Sequence, residues 1–138
     1  VDLGLVPVAI IPQLKFSEII SPYCIGANGP VETVCLFSQV PLNEIKEIQL
    51  DFHSKTSVQL VQLLSKKYWN ISPIFNLAQE GFENDLTAKQ AVVIIGDRAY
   101  QYRSQFKYVY DLPKEWKKYT GLPFVFACWV ANKSLSKS

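Results

Sequence analysis

The chain has 138 residues, of which 49% are hydrophobic and 19% charged, and it carries a formal net charge of +2. That apolar fraction supports a buried core and excludes disordered, collagen-like and low-complexity classes, while so mild a charge leaves no electrostatic footprint for nucleic acid. The longest apolar run, Leu122 to Ala131, contains Pro123 and falls short of the roughly 20 residues that a membrane-spanning helix needs, so a soluble chain with neither nucleic acid nor membrane as partner is expected.

Asp2 to Val6 reads as a buried strand, and Pro7 opens a short helical or extended piece that Pro12 stops. Glu18 to Ile20 is a short strand. The glycines and prolines of Ser21 to Pro30 punctuate the chain and predict a hinge or loop boundary. Val31 to Ser38 is a strand by its β-branched and aromatic content, and Pro41 opens a short helix over Leu42 to Ile45. Ile48 to Phe52 alternates apolar and polar residues, as a strand does. Beyond His53 the period changes: Val58, Val61, Leu64 and Tyr68 recur at helical spacing, Leu60 and Leu63 widen the stripe, and Ser54 or Thr56 supplies an N-cap. Ile74 to Leu77 is a candidate strand, and the polar stretch Gln79 to Lys89 has room for a short helix. Ala91 to Ile95 is a fully apolar strand ending at Gly96-Asp97-Arg98, with a helix expected at Ala99 to Arg103. Tyr108 to Tyr110 is extended. Pro113 begins a helix that Gly121 ends, and Phe124 to Val130 is a long apolar strand. Strands alternating with helices predict an α/β layer structure with a mainly parallel sheet, whose ligands sit at the carboxyl ends of strands.

The chain contains no methionine and begins at Val1 inside an apolar run, which is the expectation for an excerpt of a longer protein. Cys24, Cys35 and Cys128 are odd in number, lie in apolar contexts and show neither CxxC nor Cys/His spacing. Neither a disulfide framework nor a metal site is indicated, and a reducing compartment fits.

Ser54-Lys55-Thr56-Ser57, between a strand and a helix, is the most informative local feature. Unpaired N–H groups, hydroxyls and the positive end of a helix dipole suit a carboxylate or phosphate, although ordinary N-capping uses the same residues. Gly29-Pro30-Val31-Glu32-Thr33 is a second candidate, because a glycine turn brings backbone N–H groups and the Thr33 hydroxyl toward a ligand; a plain strand entry is the alternative. In Gly96-Asp97-Arg98 an Asp beside an Arg serves most often as a cap or a local ion pair. His53, the single histidine, lies near the hydroxyl cluster and lacks a partner carboxylate in sequence. Phosphate-loop, dinucleotide, serine-hydrolase and zincin signatures are absent. Trp69, Trp116 and Trp129 are core or interface material.

Three segments together resemble the chorismate dehydratases of the futalosine route to menaquinone. They are Gly29-Pro30-Val31-Glu32-Thr33; then Thr56-Ser57-Val58 with Leu60 to Leu64; then Gly96-Asp97-Arg98 with Tyr110-Asp111-Leu112, Glu115-Trp116 and Thr120 to Ala127. The resemblance implies an α/β fold like that of the type II periplasmic binding proteins, in which two lobes close on a ligand and of which this chain holds mainly one. Residues 1–28 would be a remnant of the first lobe and its crossover, 29–123 the second lobe, and 124–138 the return strand. It implies loss of water from chorismate to give 3-[(1-carboxyvinyl)oxy]benzoate, a reaction driven by aromatisation in which the enzyme orients the substrate and moves one proton. Thr33 then matches a position where relatives often carry Ser, a hydroxyl near the substrate, and Thr56 and Ser57 match the helix N-terminus that holds a substrate carboxylate; Ser54, in the same cluster, joins them as a substrate-binding candidate by its position ahead of the helix. Asp97 matches a Gly-Asp pair of open role, and the proton acceptor is left unassigned. Relatives often carry Ser or Thr where this chain has Pro7-Val8-Ala9, and an asparagine the family uses falls outside the chain.

These readings converge on a cytoplasmic lyase acting on a small carboxylate, with no cofactor or metal. A sister class acting on futalosine derivatives shares the fold, but the Thr120 to Phe124 block and the Gly29 to Thr33 turn favour the dehydratase. A non-catalytic solute-binding protein for a small carboxylate and a purely structural domain are the alternatives. Apolar surface at Val1 to Ile11 and Phe124 to Val130 would be exposed, favouring homo-oligomers.

Overall fold

A computed structural model describes residues 2–51, 54–78 and 89–132. His53 and most of the polar stretch 79–89 lie outside the described residues. The chain is mixed α/β and builds two sheets, one of three strands in the order β1-β8-β2 and one of five in the order β5-β4-β6-β3-β7.

The small sheet takes β1 (Leu3–Pro7), β2 (Ser17–Ala27) and β8 (Phe124–Asn132), all antiparallel. A 3-10 turn over Val8–Gln13, with Pro12 inside it, joins β1 to β2. The segment expected to be a loop from Ser21 onward is strand as far as Ala27, because β8 supplies a partner: Cys24 pairs with Cys128, Ile25 with Ala127, and Ala27 with Phe124. A register shift between Ile19 and Cys24 leaves Pro22 in the unpaired stretch, where its missing N–H costs no ladder bond. Gly26 is needed there, since a Cβ at that position would lie 2.9 Å from the Phe124 carbonyl oxygen.

The large sheet holds β3 (Val34–Ser38), β4 (Glu47–Leu50), β5 (Ile74–Leu77), β6 (Gln90–Ile95) and β7 (Tyr108–Asp111). It is not mainly parallel. β4 pairs parallel with β5 and with β6, whereas β3 runs antiparallel to both β6 and β7. Parallel neighbours need a crossover, and α1 (Lys55–Lys67) provides one between β4 and β5. α2 (Arg98–Tyr102) links β6 to β7, and β3, entering from the small sheet, is inserted between them in the opposite sense.

β3 is buried along its whole length. Leu36 faces Ile48, Leu60, Val61, Leu64, Val93 and Leu112, while Cys35 and Phe37 face Val92, Ile94 and Ala99 on the other side. Both faces are thus covered, which explains a strand that reads as a continuous apolar run. α1 buries Leu60, Val61 and Leu64, each contributing roughly 1.5–3 kcal/mol; Leu63, expected in the same stripe, is 40% exposed. α3 (Leu112–Thr120) starts at Asp111, whose carboxylate accepts from the Lys114 N–H, and ends at Gly121 with φ 75°. Its Trp116 packs edge-on against Phe124 and donates from Nε1 to the Pro123 carbonyl, joining the helix to the return strand.

Candidate functional site

The strand directions bring most of the sequence-predicted residues to one edge of the large sheet. β4, β5, β6 and β7 all end there and β3 begins there. Ser54, Thr56 and Ser57 stand after β4, Asp97 and Arg98 after β6, Thr33 before β3, and Asp111 at the end of β7. This is the carboxyl edge at which α/β sheets bind ligands.

At the start of α1 the capping reading holds. The Ser54 hydroxyl accepts from the Ser57 N–H at 3.2 Å and donates to Ser57 Oγ at 3.0 Å. Thr56 is turned the other way: its hydroxyl donates to the Phe126 carbonyl at 3.2 Å and lies 3.5 Å from the Ala9 N–H that it accepts. Thr56 therefore ties α1 to β8 and to the 3-10 turn, joining the two sheets. The anion-seeking groups that remain at this end are the first N–H groups of the helix and its dipole. They border a cavity of about 340 Å³ lined by Ser54, Lys55, Val58, Ala9, Gln13 and Leu77. A larger and more apolar groove of about 430 Å³ runs along α1 between Thr56 and Lys67, closed by Trp116 and Phe124.

The Gly29–Thr33 segment is a turn, and β3 begins only at Val34. Gly29 has φ 118° and Glu32 has φ 66°, a left-handed conformation that a non-glycine residue keeps only when its surroundings impose it. Asp111 imposes it: Oδ2 accepts from the N–H groups of Val31 at 2.9 Å and Glu32 at 2.7 Å, while Oδ1 caps α3. Arg103 donates to the Glu32 carbonyl at 2.9 Å, and the Gly96 N–H donates to the Thr33 carbonyl at 2.7 Å. Two of the turn's backbone N–H groups, those of Val31 and Glu32, are thus spent on Asp111 rather than offered to a ligand. Behind the turn, burial and the nearby Asp111 carboxylate push the Cys35 thiol up to about 11, against the opposing pull of Arg103.

Asp97 is exposed and makes no side-chain cap bond to α2. Its neighbour Arg98 instead reaches across the edge to Asp51, Nη2 to Oδ2 at 2.7 Å, with the Asp51 side chain only 1% exposed. Sequence reasoning missed Asp51, Asp111 and Arg103. Asp111 carries one local signal, an Asp three residues before Lys114 and just ahead of Pro113, which marks an N-cap; nothing in the sequence marks its bonds to the distant turn. Among the described residues no group of three His, Cys, Asp or Glu side chains is placed to hold a metal ion, and no helix is long and apolar enough to cross a membrane.

The polar turn before β3 and the N-terminus of α1 thus stand at one edge of the large sheet, and comparison with known proteins gives the family. The family described as menaquinone biosynthesis matches residues 1–138, and the chain belongs to it. A chorismate dehydratase of Thermus thermophilus is 29% identical over 152 aligned positions, covering 96% of this chain and 55% of that protein. The crystal structure of a protein from Archaeoglobus fulgidus superimposes with a TM-score of 0.63 at 13% identity, over 96% of this chain and 50% of that one; at that identity the likeness concerns the fold alone. The chain spans about half the length of both.

Proposed function

We propose that this chain is part of a chorismate dehydratase, a cytoplasmic carbon–oxygen lyase that removes water from chorismate to give 3-[(1-carboxyvinyl)oxy]benzoate on the futalosine route. The observation that carries the reading is the identity with the Thermus thermophilus chorismate dehydratase along 96% of the chain. The fold proposed is the two-lobe, type II periplasmic-binding-protein arrangement. Two features support it: the small sheet is made from residues 3–27 and 124–132 and the large sheet from residues between them, and an antiparallel β3 is inserted in the large sheet. In this division 1–28 belongs to the first lobe, 29–123 is the second and 124–138 returns to the first.

The chemistry follows from placement. A substrate carboxylate sits at the N-terminus of α1, beside Ser54 and Lys55, where the helix dipole and free N–H groups stabilise it. Thr33 offers a hydroxyl from a turn that Asp111 and Arg103 hold rigid, so that orientation costs little at the moment of reaction. Thr56 and Ser57 fix the helix end, and Asp97 stands at the same edge. Because the product is aromatic, the barrier falls once the departing proton and hydroxyl are aligned.

Chorismate turnover, followed by the ultraviolet absorbance of the aromatic product, tests the reading on this chain and on a protein extended to the relatives' length. Product from the longer protein bears it out. A folded longer protein that binds chorismate without consuming it is a solute-binding protein, and the lyase reading fails.

A further inference from the structure

Cys24 and Cys128 stand about a hundred residues apart in sequence and directly opposite one another in the antiparallel β2–β8 ladder. Opposed residues of such a ladder have Cα atoms about 4.5–5.5 Å apart and side chains on the same face, inside the span of about 4.4–6.8 Å that a disulfide bridges. Both are free thiols, Cys24 exposed and Cys128 buried, whereas Cys35 lies in the large sheet and is wholly buried. Burial pushes the Cys128 thiol up, and the neighbouring Cys24 pushes it the same way.

We propose that Cys24 and Cys128 are a redox modification site, a cross-strand dithiol that closes to a disulfide at the expense of a small-molecule disulfide such as oxidised glutathione. The exposed Cys24 thiolate attacks the small-molecule disulfide, forming a mixed disulfide and expelling one thiol. The Cys128 thiolate then attacks the Cys24 sulfur, closing the protein S–S bond and expelling the second thiol. Two protein thiols are oxidised, one small-molecule disulfide is reduced, and two electrons and two protons pass between them. The site is structurally pointed. β2 leads into the Gly29–Thr33 turn and β8 follows directly from Pro123, so the bond fastens together the two strands through which the chain passes between its sheets.

The experiment is incubation of the purified chain in a glutathione buffer stepped from reducing to oxidising, acid quenching, and non-reducing peptide mapping by mass spectrometry. The expected product is an intramolecular Cys24–Cys128 disulfide with Cys35 still a thiol, and a melting midpoint higher than that of the reduced chain by roughly 5 °C. In Cys128→Ser the reaction stops at the first step, so glutathione stays on Cys24 at a level roughly tenfold above the unsubstituted chain, where the adjacent thiol displaces it. Cys35→Ser should behave as the unsubstituted chain. A persistent glutathione adduct on Cys24 of the unsubstituted chain, a bond involving Cys35, or two thiols surviving in fully oxidising buffer each overturns the proposal. Mapping the unsubstituted chain decides the matter even where a serine variant fails to fold.

Discussion

Arg98 and Asp51 join the ends of two neighbouring strands. The guanidinium, half-exposed after β6, meets at 2.7 Å a carboxylate that β4 carries into the interior. A carboxylate so placed is costly without a cation and hydrogen bonds around it, and Asp51 immediately precedes the segment leading to Ser54 and α1. The ion pair therefore holds the end of β4 against the start of α2, at the proposed substrate edge.

Replacing Arg98 by Met keeps the apolar stem and deletes the positive charge that faces Asp51. The expected loss is on the order of 2 kcal/mol, less than for a fully buried pair because Arg98 is partly solvated. Urea denaturation checks it, and Asp51→Asn together with Arg98→Met should cost less than the two single losses added. A loss within a few tenths of a kcal/mol would show that the pair is ornamental.

Asp111→Ala removes the acceptor of the Val31, Glu32 and Lys114 N–H groups at once. Loss of the α3 cap costs about 1 kcal/mol, and the orphaned turn raises the total to roughly 2–3 kcal/mol. Asp111→Asn retains one oxygen and should fall between. In the extended protein both should raise the KM for chorismate, because the Thr33 turn loses its anchor; an unchanged KM in a folded variant would separate the turn from substrate binding.

Cys35 makes stability depend on alkaline pH. Its folded thiol ionises at about 11, against 9.0 for the exposed group, so between those values the folded chain keeps a proton that the unfolded chain has released. Stability is then full below pH 9 and declines as pH rises toward 11, by on the order of 2 kcal/mol. Cys35→Ala should flatten that part of the decline, as read from denaturant midpoints taken across the range. Equal slopes in both chains would refute the assignment.

The outer face of the small sheet carries Leu3, Leu5, Val125 and Trp129, all exposed. A contiguous apolar face of this kind favours association, and the isolated chain should sediment as dimers or larger species at high concentration. Leu5→Lys with Trp129→Ser should shift it toward monomer. A sharply monomeric unsubstituted chain would show that this face is tolerated in water.

Much of the local architecture was legible because its causes are local. Ser54 ahead of an apolar stripe of period 3.6 marks α1, Pro113 and Gly121 bracket α3, and the run Ala91 to Ile95 marks a strand buried on both faces. The Ser54 to Ser57 cluster, the Thr33 turn and Gly96-Asp97-Arg98 were found for the same reason, each being a short polar interruption between periodic segments. The turn's internal wiring was not legible, since the partner of Val31 and Glu32 lies at Asp111, 80 residues beyond Val31.

The sequence by itself determined the helices, the apolar strands at the centre of the large sheet, the family and the places where polar groups gather, since capping, periodicity and steric preference act within a few residues; the strand at Leu3–Pro7, read as buried, is instead exposed or half-exposed along its length. Only the tertiary structure decided that β3 runs antiparallel inside the large sheet, that Pro22 sits within a strand, that Arg98 answers Asp51 rather than Asp97, and that Cys24 faces Cys128. Each of these depends on which distant segment supplies a hydrogen-bonding edge or an opposite charge, and that choice belongs to the packing of the whole chain.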